Sequence, residues 1–178
     1  MRLAWRGPRR RPPVPDEVVA AIAPEAGERL LAWAAEAGTG RTVVAGLHRL
    51  YAVAPGDGAP HFEVSRPWHL VDAGTWSGDE GVLRVTWVDG DRPARFVLDD
   101  PGMLPETLRE RVQASVVLAE AVDLGQRRTA RVVVRKDLAT GALMSQAVLG
   151  PGVRSTDPGV AERVRVGLAR VREQVGLP

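Results

Sequence analysis

Leu83-Arg84-Val85-Thr86-Trp87, then Asp89-Gly90, then Ala94-Arg95-Phe96-Val97-Leu98: two alternating runs meet at a reversal. Leu83, Val85 and Trp87 share one face of the first run, and Ala94, Phe96 and Leu98 share one face of the second. A period of two is the signature of a half-buried strand. Asp-Gly tolerates the positive φ of a tight reversal, so the stretch predicts an antiparallel hairpin.

Working back towards the start, more strands are expected. Leu30 to Ala37 is short and apolar and ends at the Gly38-Thr39-Gly40 turn. Thr42 to Ala54 reads as one strand, with Val43, Ala45, Leu47, Tyr51 and Val53 at alternate positions and Arg49 interrupting the face. A turn-rich loop over 55–60 follows, and two short strands fit between Phe62 and Trp76. Before all of these, Asp16 and Glu17 open a short helix whose apolar side is Val18, Val19 and Ile22, and Pro24 ends it.

Beyond the hairpin the pattern turns helical. Leu104, Leu108, Val112, Val116 and Ala119 recur at helical spacing, with Pro105 and Glu106 suited to the first turn and Gly125 as the end. A second hairpin is expected over 129–149. A last helix follows, capped by Asp157 with Pro158 in its first turn and a stripe of Val160, Val164, Leu168, Val171 and Val175. The class is therefore α+β. It divides into an arm (1–15), a domain of strands and helix (16–124) and an appendage of hairpin plus helix (125–178).

Composition narrows the function. The 178 residues contain no cysteine, which excludes disulfides and thiolate chemistry. No secretory h-region follows Arg2 and Arg6, and no stretch approaches 18 apolar residues, so a cytoplasmic protein is expected. Five of the 24 basic residues, Arg2, Arg6, Arg9, Arg10 and Arg11, fall in the arm, which leaves 19 against 22 acidic ones elsewhere. The body is therefore slightly acidic, and the positive charge is concentrated in the arm beside Trp5.

Val43-Val44-Ala45-Gly46-Leu47-His48-Arg49-Leu50-Tyr51 resembles the T-x-x-R-L-Y strand of GRAM-type pleckstrin-homology-like (PH-like) domains. Arg66-Pro67-Trp68-His69-Leu70-Val71-Asp72 resembles the strand after it. The likeness spans 28–124. It implies an antiparallel β-barrel or bent sheet capped by a helix, with a groove at a sheet edge where an extended peptide adds as a strand. Gly38-Thr39-Gly40-Arg41 offers one arginine where phosphoinositide-binding members place several, which argues against such a head-group site. Over 16–178 the chain is also similar to an uncharacterised actinobacterial family. That likeness rests on Val85-Thr86-Trp87-Val88-Asp89-Gly90 and on residues 108–117, and it brings no activity with it.

No catalytic motif occurs. The serines sit in neither G-x-S-x-G nor S-x-x-K, no Walker loop is present, and Asp79-Glu80 and Asp99-Asp100 are turn carboxylates. His48, His61 and His69, even with Asp57 or Asp72, match no compact metal motif. No cofactor is implied, and a non-enzymatic protein is expected. Trp68, Trp76, His48 and His69 are the candidates for a ligand groove that takes a protein or peptide, with a second copy as another partner. Arg2, Trp5, Arg6, Arg9, Arg10 and Arg11 are the candidates for contact with a nucleic acid or an anionic membrane surface. An unrecognised enzyme is the third reading, which a pocket gathering His48 or His69 with carboxylates would favour.

Overall fold

The computed structural model describes residues 13–56 and 58–178. Arg2, Trp5, Arg6, Arg9, Arg10, Arg11 and Asp57 lie outside them. The described chain is α+β, with three helices and three antiparallel sheets. The first sheet has the order β1 (Leu30–Ala35), β2 (Thr42–Gly46), β3 (Arg49–Ala54), β4 (His61–Pro67). The second is β5 (Val71–Ser77), β6 (Val82–Trp87), β7 (Ala94–Val97), and a 3-10 turn at Trp68–Leu70 leads into it. The third is β10 (Leu143–Leu149), β9 (Arg128–Lys136), β8 (Val116–Gly125). The helices are α1 (Asp16–Ile22), α2 (Leu104–Ser115) and α3 (Val160–Gln174).

The expected hairpin forms as β6 and β7, with Leu83 opposite Phe96 and Val85 opposite Ala94. The expected closed barrel does not. The first two sheets meet at one bridge, Glu36 with Leu98. Past that rung, side chains replace strand pairing: the Glu36 carboxylate accepts the Val97 N–H (3.1 Å), and Arg41 donates to the Arg95 carbonyl (3.3 Å).

Thr42 to Ala54 is two strands, not one. The break falls at Leu47-His48, a dipeptide with no turn signal of its own. Glu28 supplies the turn: its carboxylate accepts the Leu47 N–H (2.6 Å) and the His48 N–H (3.2 Å). A Cβ on Gly46 would lie 2.8 Å from Glu28 Oε1, so only glycine leaves room for that carboxylate. All five residues of β2 are buried. Val43 and Ala45 join the main core, and Val44 joins a second cluster with Val18, Ile22, Tyr51 and Val53. α1 thus covers the outer face of the first sheet, which explains why the alternation there is weak.

The main core gathers Leu50, Trp68, Leu83, Val85, Phe96, Leu104 and Leu108. α2 lies on β5 where Gly74 removes an obstacle, since a Cβ there would stand 2.1 Å from Leu108 Cδ2. α2 stops at Ser115, ten residues before the expected end at Gly125, and β8 begins at once. Short apolar runs such as Val116-Val117-Leu118 are ambiguous between helix and strand. Here β9 decides, pairing with β8 from Val116↔Arg135 to Gly125↔Arg128. The expected hairpin is therefore a three-stranded meander, and the 124/125 division falls between the last two residues of β8.

The α3 stripe packs on that meander, with Val160 against Leu124 and Ala130 and with Val171 against Val132 and Val134. Its start differs from expectation. Gly159 (φ 74°) is the cap, while the Asp157 carboxylate accepts the Arg154 N–H and an Arg128 N–H. No described helix is long and apolar enough to cross a membrane.

Candidate functional site

A cleft of about 510 Å³ opens where the end of α1, the β2–β3 turn, β4 and the β9–β10 turn meet. Glu25, Glu28, His48, Tyr51, Phe62 and Asp137 are among its walls. The Tyr51 and Phe62 rings lie 6.1 Å apart at 33°, and Phe62 is 45% exposed. The cleft is thus part aromatic and part carboxylate.

Most of its ionisable groups are already occupied. Glu28, with a side chain 3% exposed, accepts the Tyr51 hydroxyl (3.1 Å) in addition to its backbone donors. Burial, then the charge of Glu28 and its hydrogen bond, push the Tyr51 pKa up, so this phenol stays protonated. Asp137 Oδ1 accepts the Ala139 and Thr140 N–H groups (2.8 and 3.4 Å). Burial alone would raise the Asp137 pKa, but those bonds outweigh it and hold it low. Arg49 donates to the Ser65 carbonyl (3.0 Å). His48 Nδ1 stands 4.0 Å from Glu28 Oε2, beyond hydrogen-bond range.

The four groove candidates do not share one groove. His48 lines the cleft. His69 sits behind it, 8% exposed, with Nδ1 3.9 Å from Asp137 Oδ2 and lacking a hydrogen-bond partner. Burial lowers its pKa against the attraction of Asp137, so the neutral ring is favoured. Trp68 is wholly buried in the core, where its Nε1 donates to the Gly46 carbonyl (3.1 Å), and it cannot line a surface. Trp76 is half-buried against the same core. The correction has a plain cause: a 3-10 turn, not a strand, carries Trp68 and His69 inward.

The sequence reading missed Glu28, Tyr51, Phe62 and Asp137 as site residues. In the sequence Tyr51 is one alternating position of a strand and the end of the T-x-x-R-L-Y likeness, and Asp137 falls inside the hairpin expected over 129–149. Glu28 carried no signal, because its partners lie about twenty positions away.

Two other charged clusters are structural. Arg135, 1% exposed, donates to the Val71 carbonyl (2.9 Å), to Ser115 Oγ (3.1 Å) and to Asp72 (3.4 Å), and Asp72 also pairs with Arg131. Arg135 therefore ties β9 to the start of β5 beside the end of α2. At the open seam, Arg41 bridges Glu36 and Glu63 over the Phe96 ring, and Arg66 bridges Asp89 and Asp91 over Trp87. Among the described residues, no three His, Asp or Glu side chains gather as a metal site. The arginine arm with Trp5 lies outside the described residues.

Comparison of the chain with protein-family models, curated proteins and solved structures finds no match.

Proposed function

We propose that this chain is a non-enzymatic, PH-like binding module of the adaptor kind that takes a protein or peptide segment in the cleft at His48, Tyr51 and Phe62. Four antiparallel strands, then three, then a helix across them is the order that supports the PH-like reading. One observation carries the function. Glu28, Asp137 and the Tyr51 phenol are bound to the protein's own donors and acceptors, while the Phe62 ring stays open. Such a surface suits recognition, in which exposed aromatics anchor a partner, better than proton transfer, which needs an uncommitted acid or base.

The cleft does gather His48 with carboxylates, the feature that would favour an enzyme. Glu28, the carboxylate nearest His48, is however held by the β2–β3 turn and Tyr51. Selection of displayed peptides on the full chain tests the reading. Enriched peptides should bind at least tenfold more weakly to Phe62→Ala and His48→Ala. Equal binding to wild type and both variants would place recognition elsewhere and sink it.

One observation favours the second reading, anionic-polymer binding. Arg84 and Arg95 stand directly opposite each other on β6 and β7, both exposed. Like charges in register repel, and a phosphate between them would relieve that repulsion. Binding of an oligonucleotide that weakens with salt and is lost in Arg84→Glu would support it; binding unchanged in that variant would count against it.

A further inference from the structure

We infer that the cleft is a site for an arginine-rich segment, and that its occupant is the chain's own residues 1–12. The inference rests on the reading of the cleft as a peptide site. Its first support is charge. Glu25, Glu28 and Asp137 face the cleft, against one guanidinium, Arg49, which is turned to the Ser65 carbonyl. The Tyr51 hydroxyl reports the balance, since the charges of both Glu28 and Glu25 act on it and Arg49 opposes them. Glu25 is exposed, so its carboxylate is open to a partner from solution.

The second support is shape and chemistry. A guanidinium stacks on aromatic faces while donating to carboxylates, and the exposed Phe62 ring, which lines the same cleft as Glu25, offers the first beside the second. The protein uses the same device twice at its seam, where Arg66 lies 4.6 Å above the Trp87 ring and Arg41 lies 4.8 Å above Phe96, each also paired to acids.

The third support is connection. Residues 1–12 hold Arg2, Arg6, Arg9, Arg10 and Arg11, and only Pro13, Val14 and Pro15 separate them from α1. The far end of α1, at Ile22 and Ala23, is itself a wall of the cleft. The tether is therefore short, and a tethered arginine segment reaches a high effective concentration at the site. While the segment occupies the cleft, its arginines are withheld from phosphates and the cleft is closed to other peptides. Either kind of competitor releases it.

Photo-crosslinking in the full chain tests this. With p-benzoylphenylalanine in place of Trp5, irradiation should join position 5 to residues 22–28, 48–51, 62–67 or 137–140 within one chain. The yield should fall at least fivefold in Glu25→Gln and in 1 M salt. Crosslinks between two chains would assign the occupant to a second copy, and crosslinks elsewhere or none at all would overturn the inference. A chain with the six named residues of the segment (Trp5 and the five arginines) changed to Gly or Ser separates the two ideas. If it binds selected peptides no better than wild type while those peptides still need Phe62, self-occupancy fails and the cleft reading stands.

Discussion

β5 makes two junctions, and they use opposite chemistries. Against α2 it presents Gly74, over which Leu108 settles, with Leu104 and Trp68 completing an apolar contact. Against β9 it presents the Val71 carbonyl and Asp72 to a buried guanidinium. The first junction draws on area removed from water and has little directional demand. The second withdraws an arginine from water, and Arg135 Nε finds no partner there. Burial lowers the pKa of Arg135, a sign that its charge sits there against a cost. The fixed fork of a guanidinium accepts only one placement of β9 on β5. The apolar junction thus holds the fold together, while the ionic one sets how the third sheet sits.

The contrast breaks most sharply at Trp68. Trp68→Ala should cost about 3–5 kcal/mol, since it empties the core and strands the Gly46 carbonyl. Urea unfolding measures this, and a loss below about 1 kcal/mol would mean that the apolar junction is not what holds the domain.

The ionic junction should split by which partner is removed. Asp72→Ala leaves Arg135 buried without a carboxylate and should cost about 3–5 kcal/mol, whereas Arg135→Met should stay within about 2 kcal/mol of wild type. Equal losses in the two variants would refute the view that the guanidinium orients more than it stabilises.

The smallest effect sharpens the boundary between the junctions, where His69 lies close to Asp137. Asp137 attracts a proton to this ring, Arg135 and Arg49 oppose it, and burial depresses its pKa below 6.5. Above 6.5 the ring is neutral whether the chain is folded or not, and His69 adds no slope. As pH falls below 6.5 the unfolded chain takes up a proton that the folded one resists, so stability declines until the lower folded value is passed. Denaturation midpoints between pH 7 and 5 should fall in wild type and flatten in His69→Asn. An unchanged slope in that variant would assign the decline to other groups.

Legibility of the fold followed the range of the interactions. The β6–β7 hairpin was readable because its register is fixed by neighbours in sequence. The α3 stripe was readable because Val160 to Val175 keep one face on one partner. α2 was readable at its start, where Pro105 and Glu106 sit, and misread at its end. Of the groove candidates, His48 lines the cleft, whereas Trp68 is buried in the core and Trp76 packs half-buried against it. The rest depended on Glu28, whose role exists only once Leu47, His48 and Tyr51 are brought to it.

By itself, then, the sequence determined the α+β class, the strand-rich middle, the last helix and the separation of basic arm from acidic body. These follow from hydrophobic period and local composition, which act between near neighbours. Tertiary structure alone decided that 116–125 is a strand, that the first two sheets meet at the single Glu36–Leu98 bridge, and that Glu28, Tyr51, Phe62 and Asp137 line one cleft. The first turns on β9, which pairs with β8 across 3 to 19 positions, and the others on contacts such as Glu28 with Leu47 and Glu36 with Leu98, 19 and 62 positions apart. A one-dimensional pattern carries no record of which distant partner completes the bond.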